Sequence, residues 1–193
     1  MQQKSLQKGF TLIELLVVIA ILAILAVAVI LTLNPAQMLK QARDSQRISD
    51  LSTLKSAIAL YLADVSSPSM GVSTNCYVSF SGSSATACTG RMTVTTVVTT
   101  TAANAGSSTG NGWIPINFAS ITYGTPIGAE PVDPINNATY FYSYATNGSA
   151  SFQFEINADM ESTRYASGGG SDVEGTDGGS SSTIYEVGTN LGL

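Results

Sequence analysis

Residues 8–33 read KGFTLIELLVVIAILAILAVAVILTL, and this stretch decides how the rest of the chain is organised. Leu15–Leu31 is apolar without a break. At about 1.5 Å per helical residue, Phe10–Leu33 reaches roughly 36 Å, enough to cross a hydrocarbon layer of about 30 Å. The sequence therefore predicts a membrane-spanning helix near the N-terminus.

Charge is scarce outside this segment and unevenly placed. Only 11% of the 193 residues are charged, against about 25% in ordinary domains. Residues 1–60 hold six basic and three acidic residues, whereas residues 61–193 hold two basic and ten acidic ones. The acidic majority disfavours nucleic-acid binding through the bulk surface. The absence of His removes the commonest general base and metal ligand, so we expect no enzyme and no small-molecule substrate.

Three interpretations of the apolar segment compete. Ala26-Val27-Ala28 matches the cleavage pattern of a secretory signal, although the apolar run continues beyond it. A plain membrane anchor is the second interpretation. Lys4 and Lys8 precede the segment, which predicts a cytoplasmic N-terminus and an exported remainder.

The third interpretation depends on Glu14, the one charge within the apolar segment. A charge within a bilayer costs on the order of 2.5–3.5 kcal/mol or more, so it usually has a partner or a function. The nearest cation would be a new α-amine, created by cleavage just before Phe10. The sequence therefore favours a processed N-terminus at this position.

KGFTLIELLVVIAILAILA resembles the class III signal of type IV prepilins and pseudopilins. The resemblance implies that prepilin peptidase removes residues 1–9 by cleavage between Gly9 and Phe10 and then N-methylates Phe10. A glycine before the cleaved bond lets a protease approach the backbone closely. The resemblance also implies that Glu14 neutralises the Phe10 amine of a neighbouring subunit during assembly and so sets the register of the filament.

The same resemblance implies an α+β pilin fold, with a long N-terminal helix packed on a small antiparallel sheet with long loops. Residues 10–33 would form the membrane and filament-core half of the helix, and residues 34–64 its amphipathic half. Asn34-Pro35 resembles an N-cap followed by proline at the first helical position. Apolar residues then recur at steps of three and four, at Ile48, Leu51, Leu54, Ile58, Tyr61 and Leu62.

Basic residues cluster early in the amphipathic half, at Lys40, Arg43 and Arg47. The spacing of Lys40 to Asp44 and of Arg47 to Asp50 predicts pairs within the helix. Two interpretations of the cluster stay open. It is either a solvated helix face, or a surface that meets carboxylates of adjacent subunits or the anionic membrane.

Residues 65–112 form a hydroxyl-rich insert with candidate strands at residues 77–80 and 92–101. Cys76 and Cys88 fall in this region, which would lie outside the cytoplasm. A disulfide between them is one expectation, and two free thiols are the alternative.

Residues 113–193 have the pattern of an antiparallel sheet, with candidate strands at 138–144, 151–156 and 183–187. The intervening turn contains Asn147-Gly148, a strong hairpin signal. The stretch PVDPINNATYFYSYATNGSASFQFEINADMES resembles the β-region of major pseudopilins of type II secretion. Asn137-Ala138-Thr139 and Asn147-Gly148-Ser149 match the N-glycosylation pattern, which is common by chance.

Acidic residues gather near the C-terminus, at Asp159, Glu161, Asp172, Glu174 and Asp177. Oxygen-rich loops of this kind can hold Ca²⁺, and major pseudopilins bind calcium after this hairpin. Asp159, Glu161, Asp172 and Asp177 are the candidate ligands. Solvated acids and no cofactor are the alternative, since the spacing matches no EF-hand.

The leading prediction is a type IV pilin that serves motility, adhesion or DNA uptake. Its expected partners are prepilin peptidase, an assembly ATPase with its platform protein, the cytoplasmic membrane before assembly, and further copies of itself in a surface filament. The alternatives are a major pseudopilin of a type II secretion system and, from another class, a membrane-anchored exported binding protein.

Overall fold

The computed structural model describes residues 9–82, 85–94, 96–148 and 151–193, without the side chain of Leu31. Lys4, Lys8 and the rest of residues 1–8 of the expected leader lie outside the described residues. Contacts divide the chain into two compact units, Met1–Leu39 and Lys40–Leu193, and we call the second the head. The described helices and strands are, in chain order, α1 (Leu12–Leu33), α2 (Pro35–Asp64), β1 (Asn75–Val78), β2 (Thr96–Thr99), a 3-10 helix (Phe118–Ser120), β3 (Ser143–Thr146), β4 (Phe154–Ala158) and β5 (Tyr185–Gly188).

The five strands form one sheet in the order β2-β1-β3-β4-β5, which confirms the predicted α+β class. Three neighbouring pairs are antiparallel, as expected, but β1 and β2 run parallel. Parallel neighbours need a crossover of about a dozen residues or more. The chain between Val78 and Thr96 is long enough to supply that crossover. The prediction of an antiparallel sheet is therefore wrong for this edge pair.

All five strands overlap segments that the sequence pattern predicts, but β2, β3, β4 and β5 each begin later than expected. The side chain of Asn137 gives the reason for β3. Its Oδ1 accepts the backbone N–H groups of Thr139 and Tyr140 over 2.8 and 2.9 Å. Those two N–H groups are thus used within the loop and are lost to the strand ladder.

The connection from β3 to β4 is longer than the predicted Asn-Gly turn. Gly148 does take a positive φ of 69°. However, the backbone N–H of Asn147 reaches the carbonyl of Gln153 over 3.2 Å, and its Oδ1 accepts the Gln153 N–H over 2.9 Å. The side chain of Asn147 therefore closes a wider loop, and β4 starts only after Gln153.

The first core of the head lies between α2 and one face of the sheet. The predicted face of α2 is buried at Leu51, Leu54, Ile58 and Tyr61, and the two ends of the pattern, at residues 48 and 62, are half-buried. The largest partners in this core are Trp113, Ile114, Ile116, Phe118, Tyr142, Tyr144, Phe154 and Ile156. Burial of this face, at about 25 cal/mol per Å² of apolar surface, is what holds the helix on the sheet.

The opposite face of the sheet carries a second, smaller core. Successive strand residues point to opposite faces, so Tyr77 joins the first core while Cys76 and Val78 join the second. A disulfide joins Cys76 to Cys88, with their Cα atoms 6.4 Å apart, and both residues are fully buried. The hydroxyl-rich segment 65–112 is thus built into both cores.

The start of α2 follows the predicted pattern. Pro35 is its first residue, and Asn34 Oδ1 accepts the backbone N–H of Gln37 over 3.4 Å. Asn34 also ends α1 in the left-handed region, at φ 40° and ψ 76°, a conformation that Asn tolerates better than most residues.

A buried carboxyl group anchors the loop around Trp113. Glu130 Oε2 accepts the backbone N–H of Ile114 over 3.0 Å, and the backbone N–H of Glu130 donates to the carbonyl of Gly106 over 3.0 Å. Its Oε1 is buried with no hydrogen-bond partner in the described part of the chain. Burial raises the pKa of Glu130 to about 8, although the backbone hydrogen bonds oppose the shift.

This raised pKa predicts a pH-dependent stability. The folded head favours neutral Glu130, whereas an unfolded chain ionises near pH ~4.3. The stabilisation that the folded head gains by keeping Glu130 protonated is complete below that pH. It is lost as pH rises towards about 8, at about 1.4 kcal/mol of unfolding free energy for each pH unit. Glu130→Gln should therefore gain stability relative to the unmodified chain between pH 5 and 8. Denaturation of the full chain in detergent, followed by Trp113 fluorescence, measures this, and a constant difference across the range would contradict it.

Candidate processing and assembly site

The expected cleavage site lies immediately before α1. Gly9, Phe10 and Thr11 have no regular structure, and Phe10 is 88% exposed. A Cβ built on Gly9 would meet no atom of the described residues within 4 Å. The chain's own packing therefore does not require glycine here, which is consistent with a requirement imposed by an external protease.

Thr11 and Glu14 close the start of α1 as a reciprocal capping box. Glu14 Oε2 accepts the backbone N–H and the hydroxyl of Thr11 over 2.8 and 2.7 Å, and Thr11 Oγ1 accepts the Glu14 N–H over 3.3 Å. The sequence reasoning missed Thr11, although Thr-x-x-Glu before an apolar run is a recognised helix-start signal. The second carboxylate oxygen, Oε1, makes no hydrogen bond among the described residues.

Helix α1 presents apolar side chains on every side. Its 22 residues correspond to about 33 Å at 1.5 Å per residue. Its described side chains are all exposed, including those at the centre of the helix. In the part of the chain that the structure describes, this is the one helical stretch long and apolar enough to cross a membrane. A helix that is apolar all round belongs in a membrane or in a bundle of similar helices.

The described residues thus combine a Gly-Phe junction, an acid at the start of an otherwise apolar helix, and an α+β head. Residues 4–30 match the family model described as the prokaryotic N-terminal methylation motif. The chain thus carries the class III signal segment typical of type IV pilins and pseudopilins. No curated protein and no solved structure matches the chain significantly.

A buried ionic cluster in the head brings together five charged residues. Arg47 is fully buried and donates two hydrogen bonds to Asp133, from Nε over 2.6 Å and from Nη2 over 3.0 Å. Its Nη1 lies 2.7 Å from Asp44 Oδ1 and 2.7 Å from Glu161 Oε1. Arg43 binds Glu161 with two further hydrogen bonds of 2.7 and 2.6 Å. We call these five residues the Arg47 cluster.

Backbone donors complete the coordination of its carboxylates. Asp44 accepts the N–H groups of Glu161 and Ser162 over 2.9 and 2.8 Å. Asp133 accepts those of residues 135 and 136 over 2.8 and 3.1 Å. Burial lowers the pKa of Arg47, but the carboxylates around it more than offset this, and the net pKa is raised.

The structure corrects the predictions made for the basic residues of α2. Arg47 is fully buried against carboxylates of its own chain, so neither open interpretation of the cluster holds for it. Arg43 is half-buried and also binds a carboxylate of its own chain, that of Glu161. Asp44 pairs with Arg47 rather than with Lys40. Asp50 accepts the hydroxyl of Tyr142 over 2.8 Å and a Gln46 amide hydrogen over 2.6 Å, so the predicted Arg47–Asp50 pair is absent from the described contacts.

The candidate calcium ligands do not converge. Glu161 belongs to the Arg47 cluster, and Asp159 lies 3.6 Å from Arg91. Asp172 accepts the backbone N–H groups of residues 168 and 175, and Asp177 accepts those of residues 179 and 186. Within the described ranges there is no group of three or more His, Cys, Asp or Glu side chains that could hold a metal.

Glu174, another acidic residue of the C-terminal loop, also accepts backbone hydrogen bonds. Its two oxygens accept the backbone N–H groups of Met160 and Ser167 over 2.8 and 2.9 Å. Carboxylates along this loop thus bind backbone hydrogens of the loop itself. The sequence pattern could not separate this role from metal binding, because both use oxygen-rich side chains in Gly-rich loops.

Removing the Arg47 side chain should destabilise the head strongly. Arg47→Met leaves Asp44 and Asp133 buried without their cation, and breaking a buried pair in this way costs about 3–5 kcal/mol. Lys55→Met, an exposed cation on the same helix, is the matched control and should change the free energy of unfolding by less than about 0.5 kcal/mol. Trp113 fluorescence during denaturant titration of the full chain distinguishes the two, and equal effects would contradict the prediction.

Proposed function

We propose that this chain is the structural subunit of a type IV pilus. Prepilin peptidase cleaves it between Gly9 and Phe10 and methylates the new N-terminus, and α1 then mediates polymerisation. The observation that carries the proposal is α1 itself. Apart from Glu14 and Thr32 its residues are apolar, its described side chains are all exposed, and residues 12–30 of it lie within the matched methylation motif. Its role is structural rather than catalytic.

The physical basis of assembly is exchange of one apolar environment for another. In the cytoplasmic membrane, lipid covers α1; in a filament, the α1 helices of neighbouring copies take the place of lipid. An assembly ATPase acting through a platform protein would supply the work of extraction. The head, whose apolar residues pack into two internal cores, is compatible with water throughout, which suits export to the cell surface.

Glu14 has a specific role in this proposal. A carboxylate in a hydrocarbon environment costs on the order of 2.5–3.5 kcal/mol, and pairing with the Phe10 amine of a neighbouring copy offsets that cost. One oxygen of Glu14 is held by Thr11 and the other has no partner among the described residues. The capping box therefore fixes the acid at the start of α1 while leaving Oε1 available to a cation.

A major pseudopilin of a type II secretion system is the second candidate. Residues 131–162 support this candidate, because their sequence resembles the β-region of major pseudopilins. The same stretch contains β3, β4 and Asp133, which binds Arg47. An uncharged polar surface suits exposure outside the cell and so favours a pilus. Within residues 96–109, the exposed hydroxyl side chains are those of Thr96, Thr99, Thr101 and Thr109.

Electron microscopy of material sheared from the cell surface distinguishes the candidates. We expect long filaments that contain this chain with an N-methylated Phe10 terminus, identified by mass spectrometry of the N-terminal peptide. Processed chain confined to short periplasmic assemblies would favour the pseudopilin. A terminus at Val29 would show an ordinary secreted protein and contradict both.

A pair of variants separates the charge of Glu14 from its capping role. Glu14→Gln can still accept the Thr11 N–H, as Gln does in capping boxes, but it carries no charge. We expect normal processing and at least a tenfold loss of filaments. Thr11→Val removes the side-chain cap and keeps the carboxylate, so it should assemble. Normal filament yield from Glu14→Gln, measured against total processed chain, would disprove the role of the charge.

A further inference from the structure

Two Asn-x-Ser/Thr patterns lie in the head, and their asparagine side chains differ in their hydrogen bonds. We propose that Asn137 is a site of N-linked glycosylation and that Asn147 is not. The proposal rests on export of the head under the proposed function, since the pattern acts as a glycan acceptor in surface loops of exported proteins.

Asn137 presents a free amide nitrogen on an exposed loop. Asn137, Ala138 and Thr139 are all exposed. Asn137 Oδ1 accepts the backbone N–H groups of Thr139 and Tyr140, which points the amide group in a fixed direction. Its Nδ2 and the Thr139 hydroxyl make no hydrogen bond among the described residues. Both groups of the acceptor pattern are therefore accessible from solvent.

The loop that carries Asn137 stands on a well-anchored base. Asn136, at a positive φ of 49°, exchanges two hydrogen bonds with Ser79, over 2.8 and 3.1 Å. The Arg91 guanidinium donates to the carbonyl of Thr139 over 3.0 Å. A glycan at this tip would extend into solvent without displacing a side chain of either hydrophobic core.

The side chain of Asn147 makes hydrogen bonds that hold its own loop together. Its Nδ2 donates to Ser151 Oγ over 2.5 Å and to Gln153 Oε1 over 3.0 Å, and its Oδ1 accepts the Gln153 N–H. Glycosylation of Nδ2 would break the bonds that close the connection from β3 to β4. The third residue of this pattern, Ser149, lies outside the described residues.

The reaction requires a sugar donor, which we assign to the class of lipid-linked oligosaccharide pyrophosphates. Asn137 Nδ2 forms a bond to the anomeric carbon of the first sugar, and the bond from that carbon to the pyrophosphate oxygen breaks. The lipid pyrophosphate leaves with the electron pair of that bond. One amide proton is lost to base, so the product is a secondary amide that carries the glycan.

Peptide mass spectrometry on chain purified from the cells that make it tests the proposal. We expect a glycopeptide that covers Asn137 in the unmodified sequence and in Thr139→Ser, which keeps the hydroxyl. Asn137→Gln and Thr139→Ala should each lose it completely. Asn147→Gln is the matched control and should retain the full occupancy at Asn137.

Each other outcome overturns the proposal. A glycan that persists in Asn137→Gln is attached to another residue, a glycan at Asn147 alone reverses the assignment, and an unmodified Asn137 rules it out. The same sample also gives the mass of the N-terminal peptide and, from electron microscopy of the sheared fraction, the presence of filaments. Filaments with methylated Phe10 and bare Asn137 reject the glycan alone, whereas chain without that terminus also rejects the proposed function.

Discussion

The guanidinium of Arg47 joins three parts of the head that are far apart in sequence. It contacts Asp44 on its own helix, Asp133 in the loop before β3, and Glu161 after β4. Apolar packing alone would permit α2 to slide or rotate on the sheet at modest cost, because hydrophobic contacts have little directional preference. Bidentate hydrogen bonds from a planar guanidinium have strict geometry. We infer that the Arg47 cluster fixes the position of α2 on the sheet while the two cores supply most of the stabilisation.

The amphipathic face of α2 and the approximate strand positions were predictable from the sequence, because both depend on local periodicity. The α+β class was implied by the resemblance to pilins. The Arg47 cluster was not predictable. Spacing along α2 pointed to neighbours three or four residues away, whereas Asp133 lies 86 residues from Arg47. The parallel pairing of β2 was missed for a similar reason, since strand order depends on which segments meet after a long crossover. Thr11 is a different case, because the Thr-x-x-Glu capping pattern was present in the sequence but was not used to predict the start of α1.

The acidic residues of the C-terminal loop show that the same amino-acid composition can form either a metal site or a loop held by hydrogen bonds to its own backbone. A metal ion and a set of backbone N–H groups both satisfy carboxylate oxygens, and Gly-rich loops expose N–H groups freely. In the head, Asp172, Glu174 and Asp177 each accept two backbone hydrogens. The loop is therefore ordered by its own main chain, and Asp177 also protects the outer edge of β5 by accepting the N–H of Glu186.

The long sequence separations within the Arg47 cluster also set an order of events during biogenesis. Under the proposed function, with a cytoplasmic N-terminus, the segment nearest α1 would reach the outer side of the membrane well before the residues that complete the cluster. Arg43 must wait for a carboxylate 118 residues further along the chain, so the head cannot reach its final packing until nearly the whole polypeptide has been translocated. During that interval α1 would keep the unfinished chain tethered at the bilayer. Under that proposal, only a subunit whose secretion is almost complete would offer a folded head to a growing polymer.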